Sequence, residues 1–301
     1  MNSPTVFSKW IRAACVAAAM PLSFHAADGA EAVSRPGPAA QVATPPKAEN
    51  FDLYLLVGQS NMSGRGRVTP ADSQPDTRVL VLGKDGEWLL QGEPVHFDTR
   101  NAAVGLGFAF AKRMADHSPG VTIGLIPCAV GATPQKRWMP GGDLYEEAVR
   151  RAGIAQQSGR LRGILWHQGE SETGSLVRSK AYGENLAKIV EGFRRDLNAP
   201  GVPFVAGELG EFLYMKSEER AANAKIVNEQ INRLPALVPN TAVIPSAGLG
   251  HRGDGTHFNA EAQREFGRRY YEAMVALRKK TTTTQKVAHD SGISDGIGLI
   301  R

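Results

Sequence analysis

Between residues 50 and 280 six short aliphatic runs alternate with amphipathic stretches, and this rhythm restricts the fold more than any other feature of the chain. The strand candidates are residues 52–57, 78–82, 121–126, 161–166, 203–208 and 241–244. Helical stretches fall between most of them, at 107–116, 144–156, 180–196 and 217–233, and a last one at 261–278 closes the series. Within 180–196, Leu186, Ile189, Val190 and Phe193 recur at spacings of three and four, the mark of a helix with one buried face. Alternation of this kind predicts an α/β fold, a parallel sheet covered on both faces by helices, with ligands at the carboxyl ends of the strands. Residues 82–97 break the rhythm and are expected to hold a hairpin.

The flanks read differently. Lys9 and Arg12 precede the apolar run AACVAAAMPLSF, and Ala30-Glu31-Ala32 fits an A-x-A cleavage signal, so residues 1–32 read as a secretory signal peptide. The run is shorter than the roughly 20 residues that a bilayer-spanning helix needs. A released protein, secreted or periplasmic, is therefore expected, with no membrane partner. Arg12 sits three residues before Cys15, where a lipobox wants an aliphatic side chain, so a lipoprotein is set aside. Residues 33–49 carry four prolines and read as an extended linker. Residues 281–301 show no helical period and are expected to form a flexible tail, leaving one domain over 50–280.

The formal net charge of +5 is modest for this length, and its basic residues are scattered, so nucleic acid is not implied as a partner. Beyond the signal segment only Cys128 remains, which excludes a disulfide framework. It ends an apolar run and reads as a buried thiol rather than a nucleophile. The pattern specifies no oligomeric state.

Polar or glycine-rich segments follow the strand candidates: GQSNMSGRGR after the first, then NAAVGLGFAFA, CAVGATPQKRW, WHQGESE and GLGHRGDGTHFN. In a parallel sheet they converge on one edge. Ser60, in the first, needs a base to take its proton and a carboxylate to orient that base. The histidines of the domain are His96, His117, His167, His251 and His257. His117, at a helix end beside Ser118 and Pro119, has a sufficient role against the helix dipole. Asp254 stands three residues before His257 in a glycine-flanked turn, a spacing that brings a carboxylate to Nδ1 and leaves Nε2 facing outward. Ester cleavage also needs donors for a developing oxyanion, and the N–H groups of Ser60 and Gly105 and the amide of Gln168 are candidates.

Three rival readings use the same residues. His251, Asp254 and His257 form H-x-x-D-x-x-H and could hold zinc, but a glycine-broken loop lacks the helical i, i+4 spacing usual for such pairs, and no metal is assigned. Glu170 and Glu172 could be a glycosidase pair, which would leave Ser60 and the D-x-x-H pair without work. The G-x-S-x-G elbow of α/β-hydrolases is absent, because Met62 stands two residues after Ser60.

Taken in order, GQSNMSG, VGLGFAFA, GLIPCAVGATPQKRW, WHQGESE and DGTHFN resemble the blocks of SGNH hydrolases, and among them the acetylesterases of carbohydrate esterase family 6 and the sialate O-acetylesterase-like domain. The likeness runs from Phe51 to Leu277. It implies a three-layer, flavodoxin-like α/β/α fold with Ser60 as nucleophile, His257 as base and Asp254 as its orienter. An oxyanion hole from the N–H groups of Ser60 and Gly105 and the side chain of Gln168 is implied, with Gln168 standing where many relatives carry asparagine. His167 and Asn61 are further candidates for the site; Glu170 and Glu172 could orient Gln168 or Asn61 or bind substrate hydroxyls, and Trp138 with Arg137 could stack on a sugar ring, packing being the favoured role for Trp138. The function implied is a secreted serine esterase that removes O-acetyl groups from carbohydrate, acetylated xylan above all, without a cofactor. Sialate O-acetylesterase or general short-chain esterase activity is the alternative within the class, and an inactive carbohydrate-binding module the alternative outside it.

Overall fold

The computed structural model describes the backbone of residues 39–290 and the side chains of residues 39–280. The segment read as a signal peptide and the start of the linker, residues 1–38, lie outside the described residues, as do residues 291–301. The strands are β1 (Gln41–Val42), β2 (Phe51–Gly58), β3 (Val79–Leu82), β4 (Trp88–Leu90), β5 (Thr122–Pro127), β6 (Arg160–His167), β7 (Phe204–Gly207) and β8 (Thr241–Ile244). They form one sheet in the order β1-β4-β3-β5-β2-β6-β7-β8. All pairings along the sheet from β3 to β8 are parallel, and only the β3–β4 and β4–β1 pairings at one edge are antiparallel, so β4 alone runs against the others. The expected hairpin is β3–β4. The linker is less free than its prolines suggest, since its residues Gln41 and Val42 pair with Leu90 and Leu89.

The helices are α1 (Ser60–Ser63), α2 (Leu106–His117), α3 (Asp143–Gln156), α4 (Leu176–Asp196), α5 (Glu218–Asn232), α6 (Leu234–Leu237) and α7 (Ala260–Asp290). Helix α7 continues past Lys280 to Asp290, so the backbone of residues 281–290 is helical where a loose tail was expected. The extension follows a helix already in progress, which needs no new nucleus and adds one hydrogen bond per residue.

The two-residue period of β2 makes the layers. Phe51, Leu53, Leu55 and Val57 enter one apolar cluster with α3, α4 and α5, while Tyr54 and Leu56 enter the other with α2 and α7. All eight residues of β2 are buried, as befits a central parallel strand. The result is a three-layer α/β/α fold. Counted in chain order, the parallel strands lie 2-3-1-4-5-6, which sets β2 between β5 and β6. The chain leaves β2 for β3 on one side and later crosses from β5 over β2 to β6 on the other, and such a switch point opens a crevice at the carboxyl ends of the strands.

Gly58 ends β2 at φ +136°, and a Cβ there would stand 2.0 Å from the carbonyl oxygen of His167. No side chain fits between the end of β2 and that of β6. Gly58→Ala is therefore expected to destabilise the fold by at least about 2 kcal/mol, from the strained φ and the overlap together. Chemical denaturation would show this as a lowered midpoint, and an unchanged midpoint would mean that the two strand ends part without cost.

Candidate active site

The chain turns sharply at Gly58, so that Ser60 opens α1 at the carboxyl end of the sheet. Its hydroxyl lines a cleft of about 320 Å³ together with Arg65, Asp98, Thr99, Asn101, Val130, Gly131, Ala132 and His257. His257 arrives from the loop between β8 and α7. An isolated antiparallel bridge of His251 with Phe258 and the bond from Arg252 N–H to the His257 carbonyl (2.9 Å) close this loop into a narrow turn. His257 Nε2 lies 3.0 Å from Ser60 Oγ, and its Nδ1 lies 2.7 Å from Asp254 Oδ2. The other Asp254 oxygen accepts the N–H groups of Thr256 (2.9 Å) and His257 (2.8 Å). Burial alone would raise the Asp254 pKa, but these hydrogen bonds from the His257 ring and the two backbone groups outweigh it and hold the acid at about 2. The carboxylate is thus charged and fixed at the imidazole across the working pH range.

Asn61 explains how residues 197 positions apart keep their register. Its Nδ2 donates to the Thr256 carbonyl (3.1 Å) and its Oδ1 accepts the Phe258 N–H (3.1 Å), so the residue after the serine grips both neighbours of the histidine. Gln263 Nε2, from α7, adds a bond to the Asn61 carbonyl (3.0 Å). Of the roles open to Glu170, the structure gives it the Asn61 amide, which it orients by accepting from Nδ2 at 2.5 Å. It is buried and does not touch His257.

Burial raises the Glu170 pKa from 4.5 to about 7, against the lowering effect of the Asn61 bond. The folded chain keeps this proton up to about pH 7, whereas the unfolded chain releases it near 4.5. Stability from this group is therefore largest below pH 4.5 and declines as the pH rises through 7. In Glu170→Gln that part of the slope is expected to vanish. Thermal melts at pH 5 and pH 8 would register it, and an equal difference in Tm for both proteins would contradict a buried, titrating Glu170.

Several sequence expectations are corrected here. Gly105 lies behind α1, near the Met62 carbonyl and Gly64, and its N–H donates to Glu93 Oε1 at 3.1 Å instead of facing the cleft. Gln168 is fully buried, and its Nε2 is taken by Glu172 Oε2 (2.5 Å) and the Thr133 carbonyl (3.1 Å). It braces the loop after β5 rather than offering a donor to the cleft. Trp138 takes the packing role favoured for it over sugar stacking: it is fully buried, edge-on against Trp166, with its Nε1 donating to Thr133 Oγ1 at 3.2 Å. His167 lies under the site between Phe258 and Phe266, and burial lowers its pKa to about 3, which keeps it neutral.

Other expectations meet a definite geometry. His251 Nδ1 accepts the N–H groups of Gly253 (2.9 Å) and Gly255 (3.1 Å), so this atom serves the turn. The buried Glu172 braces Gln168 and the Gln135 N–H (2.9 Å) and does not line the cleft. The Cys128 thiol is pushed by burial up to about 12, which leaves it protonated and unreactive.

The other wall of the cleft comes from the expected segment CAVGATPQKRW, though no residue of its turn was singled out. It is the turn Val130–Gly131–Ala132 after β5, with Asp98 and Thr99 beside it. Ala132 has φ +57°, a left-handed conformation uncommon for a residue with a Cβ. Neither the Ala132 N–H nor the Ser60 N–H is spent on a protein acceptor among the described residues, and both residues line the cleft. A nucleophile-base-acid line, two free backbone donors and a small open cleft are the parts that acyl transfer requires.

Fold and site together define a carboxylic-ester hydrolase of the SGNH type. Residues 50–276 match the sequence profile described as carbohydrate esterase, sialic acid-specific acetylesterase. The chain belongs to that family of carbohydrate acetylesterases. A probable carbohydrate esterase of Arabidopsis thaliana is 29% identical over 235 residues, which cover 71% of this chain and 86% of the relative. The solved structure of an Arabidopsis thaliana protein superposes with a TM-score of 0.69 at 28% identity, covering 77% of this chain and 99% of that one. The fold is shared with NanS (TM-score 0.63, 17% identity, 78% and 99% covered). It is shared too with a carbohydrate acetylesterase from Xanthomonas citri (TM-score 0.58, 19% identity, 74% and 55% covered).

Proposed function

We propose that the chain is an exported serine esterase that removes acetyl groups from the hydroxyls of a neutral glycan, acetylated xylan or its oligosaccharides. The observation that carries the mechanism is the line Ser60 Oγ, His257 Nε2, His257 Nδ1, Asp254 Oδ2, with gaps of 3.0 and 2.7 Å. Ser60 Oγ attacks the acetyl carbonyl while its proton passes to His257 Nε2. The tetrahedral intermediate places its oxyanion toward the N–H groups of Ser60 and Ala132. Its collapse breaks the ester bond, and the departing sugar oxygen takes the proton from His257. Water, deprotonated by the same histidine, then adds to the acetyl-serine carbonyl, and acetate leaves as Ser60 regains its proton. These steps draw only on groups of this chain and water.

Preference for an uncharged sugar is supported by the cleft. Of its lining residues Arg65 is the permanent cation, and its guanidinium is paired with Asp98 at 3.2 Å rather than open to a sugar carboxylate. A second reading, an O-acetyl sialic acid as substrate, is favoured by the description of the family. Acetate release from acetylated xylan, acetylated mannan and O-acetyl sialic acid under equal conditions separates the two. Fastest release from xylan is expected, and fastest release from the sialic acid would reverse the choice. Export is supported by the sequence of residues 1–32, and finding the full-length chain unprocessed in the cytoplasm of an expressing bacterium would overturn it.

A further inference from the structure

Asp98 is almost fully buried in the cleft wall, where three donors converge on its carboxylate. Ser63 Oγ donates to Oδ1 at 2.5 Å, and Oδ2 accepts the Gly131 N–H at 3.0 Å and Arg65 Nη2 at 3.2 Å. Arg65 is itself fixed, with Nη1 donating to Ser63 Oγ and to the Gly64 carbonyl, each at 2.7 Å. One acid thus ties the segment that carries Ser60 to the turn that carries Ala132. Contact across the cleft is close, since a Cβ on Gly131 would lie 3.7 Å from Ser60 Cβ and 2.8 Å from Arg65 Nη2.

Two features of this arrangement need explanation. The left-handed Ala132 is a strained choice, and such a conformation persists only where its surroundings over-determine it. A carboxylate at the wall of an oxyanion site would oppose the charge that develops there, unless a cation cancels it. Asp98 answers the first by gripping the peptide N–H just before Ala132, and Arg65 answers the second by pairing with Asp98. The buried His96 is a further titratable group close enough to interact with this acid, and Arg65 and Arg151 act on the same imidazole.

We propose that Asp98 is a positioning residue of the esterase site: through Gly131 it holds the 130–132 turn so that the Ala132 N–H faces the oxyanion, and Arg65 neutralises its charge there. The inference rests on the serine-esterase reading above. It assigns a task to the segment after the β3–β4 hairpin, for which the hydrolytic mechanism alone has no use.

The test compares Asp98→Asn, Arg65→Met and the double variant with the parent on p-nitrophenyl acetate, with thermal melts alongside. Asp98→Asn is expected to lower kcat by about 10- to 100-fold with KM within about twofold, the pattern of a group that acts only on the transition state. Arg65→Met leaves the acid unpaired and is expected to cost more than Asp98→Asn. Adding Asp98→Asn to it should return part of the lost kcat, because the double variant carries no uncompensated charge. Methylboronic acid, which adds to the serine as a tetrahedral anion, should bind Asp98→Asn more weakly by a factor similar to the loss in kcat. Parent-like kcat in Asp98→Asn, or losses that multiply in the double variant, would overturn the proposal. If Asp98→Asn fails to fold, the order of Arg65→Met against Arg65→Lys decides: equal kcat in both would refute the charge-cancelling role. A parent enzyme that hydrolyses no acetyl ester would overturn the esterase reading and this proposal together, whereas an active parent with an indifferent Asp98→Asn would remove this proposal alone.

Discussion

Ser60→Ala is expected to reduce acetyl-ester hydrolysis by on the order of 10³- to 10⁶-fold, as the loss of a nucleophile does in other triads. In the proposed mechanism the Ser60 Oγ is the atom that forms the covalent intermediate. Thr99 carries the other hydroxyl among the lining residues, and its Oγ1 accepts the Asn101 N–H at 3.3 Å. Cys128 stays protonated because burial holds its thiol at about 12. The fold should survive the change, since the methyl group of alanine occupies the position of the serine Cβ and Ser60 Oγ bonds only to His257. Initial rates on p-nitrophenyl acetate, with thermal melts as a control for folding, give the answer. Hydrolysis that persists at the parent rate in a folded Ser60→Ala protein would take this residue out of the mechanism.

Asp254→Asn should lower kcat by about 10⁴-fold and leave KM nearly unchanged. The aspartate is acceptor for four interactions: Nδ1 of His257, the two backbone N–H groups, and the Arg252 guanidinium at 3.3 Å from Oδ2. Asparagine can keep the backbone pair on its carbonyl oxygen, so the turn should hold. Its amide then presents N–H groups to Nδ1, which selects the tautomer with the proton on Nε2, and that nitrogen can no longer accept the proton of Ser60. Because Asp254 remains ionised down to about pH 2, loss of activity on mild acidification is not due to this group. A kcat within tenfold of the parent would show that His257 is oriented by other contacts, of which the Arg252 N–H to His257 carbonyl bond is the first to examine.

The parts of the site that were legible in the sequence are those whose geometry is local. Asp254 and His257 are three residues apart in a glycine-flanked turn, and such a turn leaves few ways to place them. Gly58 followed by Ser60 marks the end of a strand because the strand is uniformly apolar and the turn is not. Of the three expected oxyanion donors the Ser60 N–H remains at the cleft, and the other two differ for a separate reason. Gly105 and Gln168 have suitable chemistry, but which way an N–H or an amide points depends on what packs beside it, and Glu93 and Glu172 had already claimed them. Nothing in GAT announces a left-handed alanine, since alanine has no preference for that conformation and takes it here under tertiary constraint. Asp98 was invisible for a similar reason: it follows the one stretch that departs from strand–helix alternation, where no periodicity indicates which side chains turn inward. Trp138 shows the converse, because an aromatic near a loop motif can belong wholly to the core.

The two halves of the catalytic line are anchored to very unequal supports. Ser60 is fastened to β2, buried along its whole length at the middle of the sheet, whereas Asp254 and His257 sit in a solvent-exposed turn held by a few hydrogen bonds, the Asn61 amide prominent among them. Openings of such a turn belong to the low-energy end of native fluctuations, while release of a central strand requires global unfolding. On heating, activity and fold should therefore part company: the enzyme falls silent while its sheet is still intact, and it recovers on cooling for as long as that sheet has not been breached.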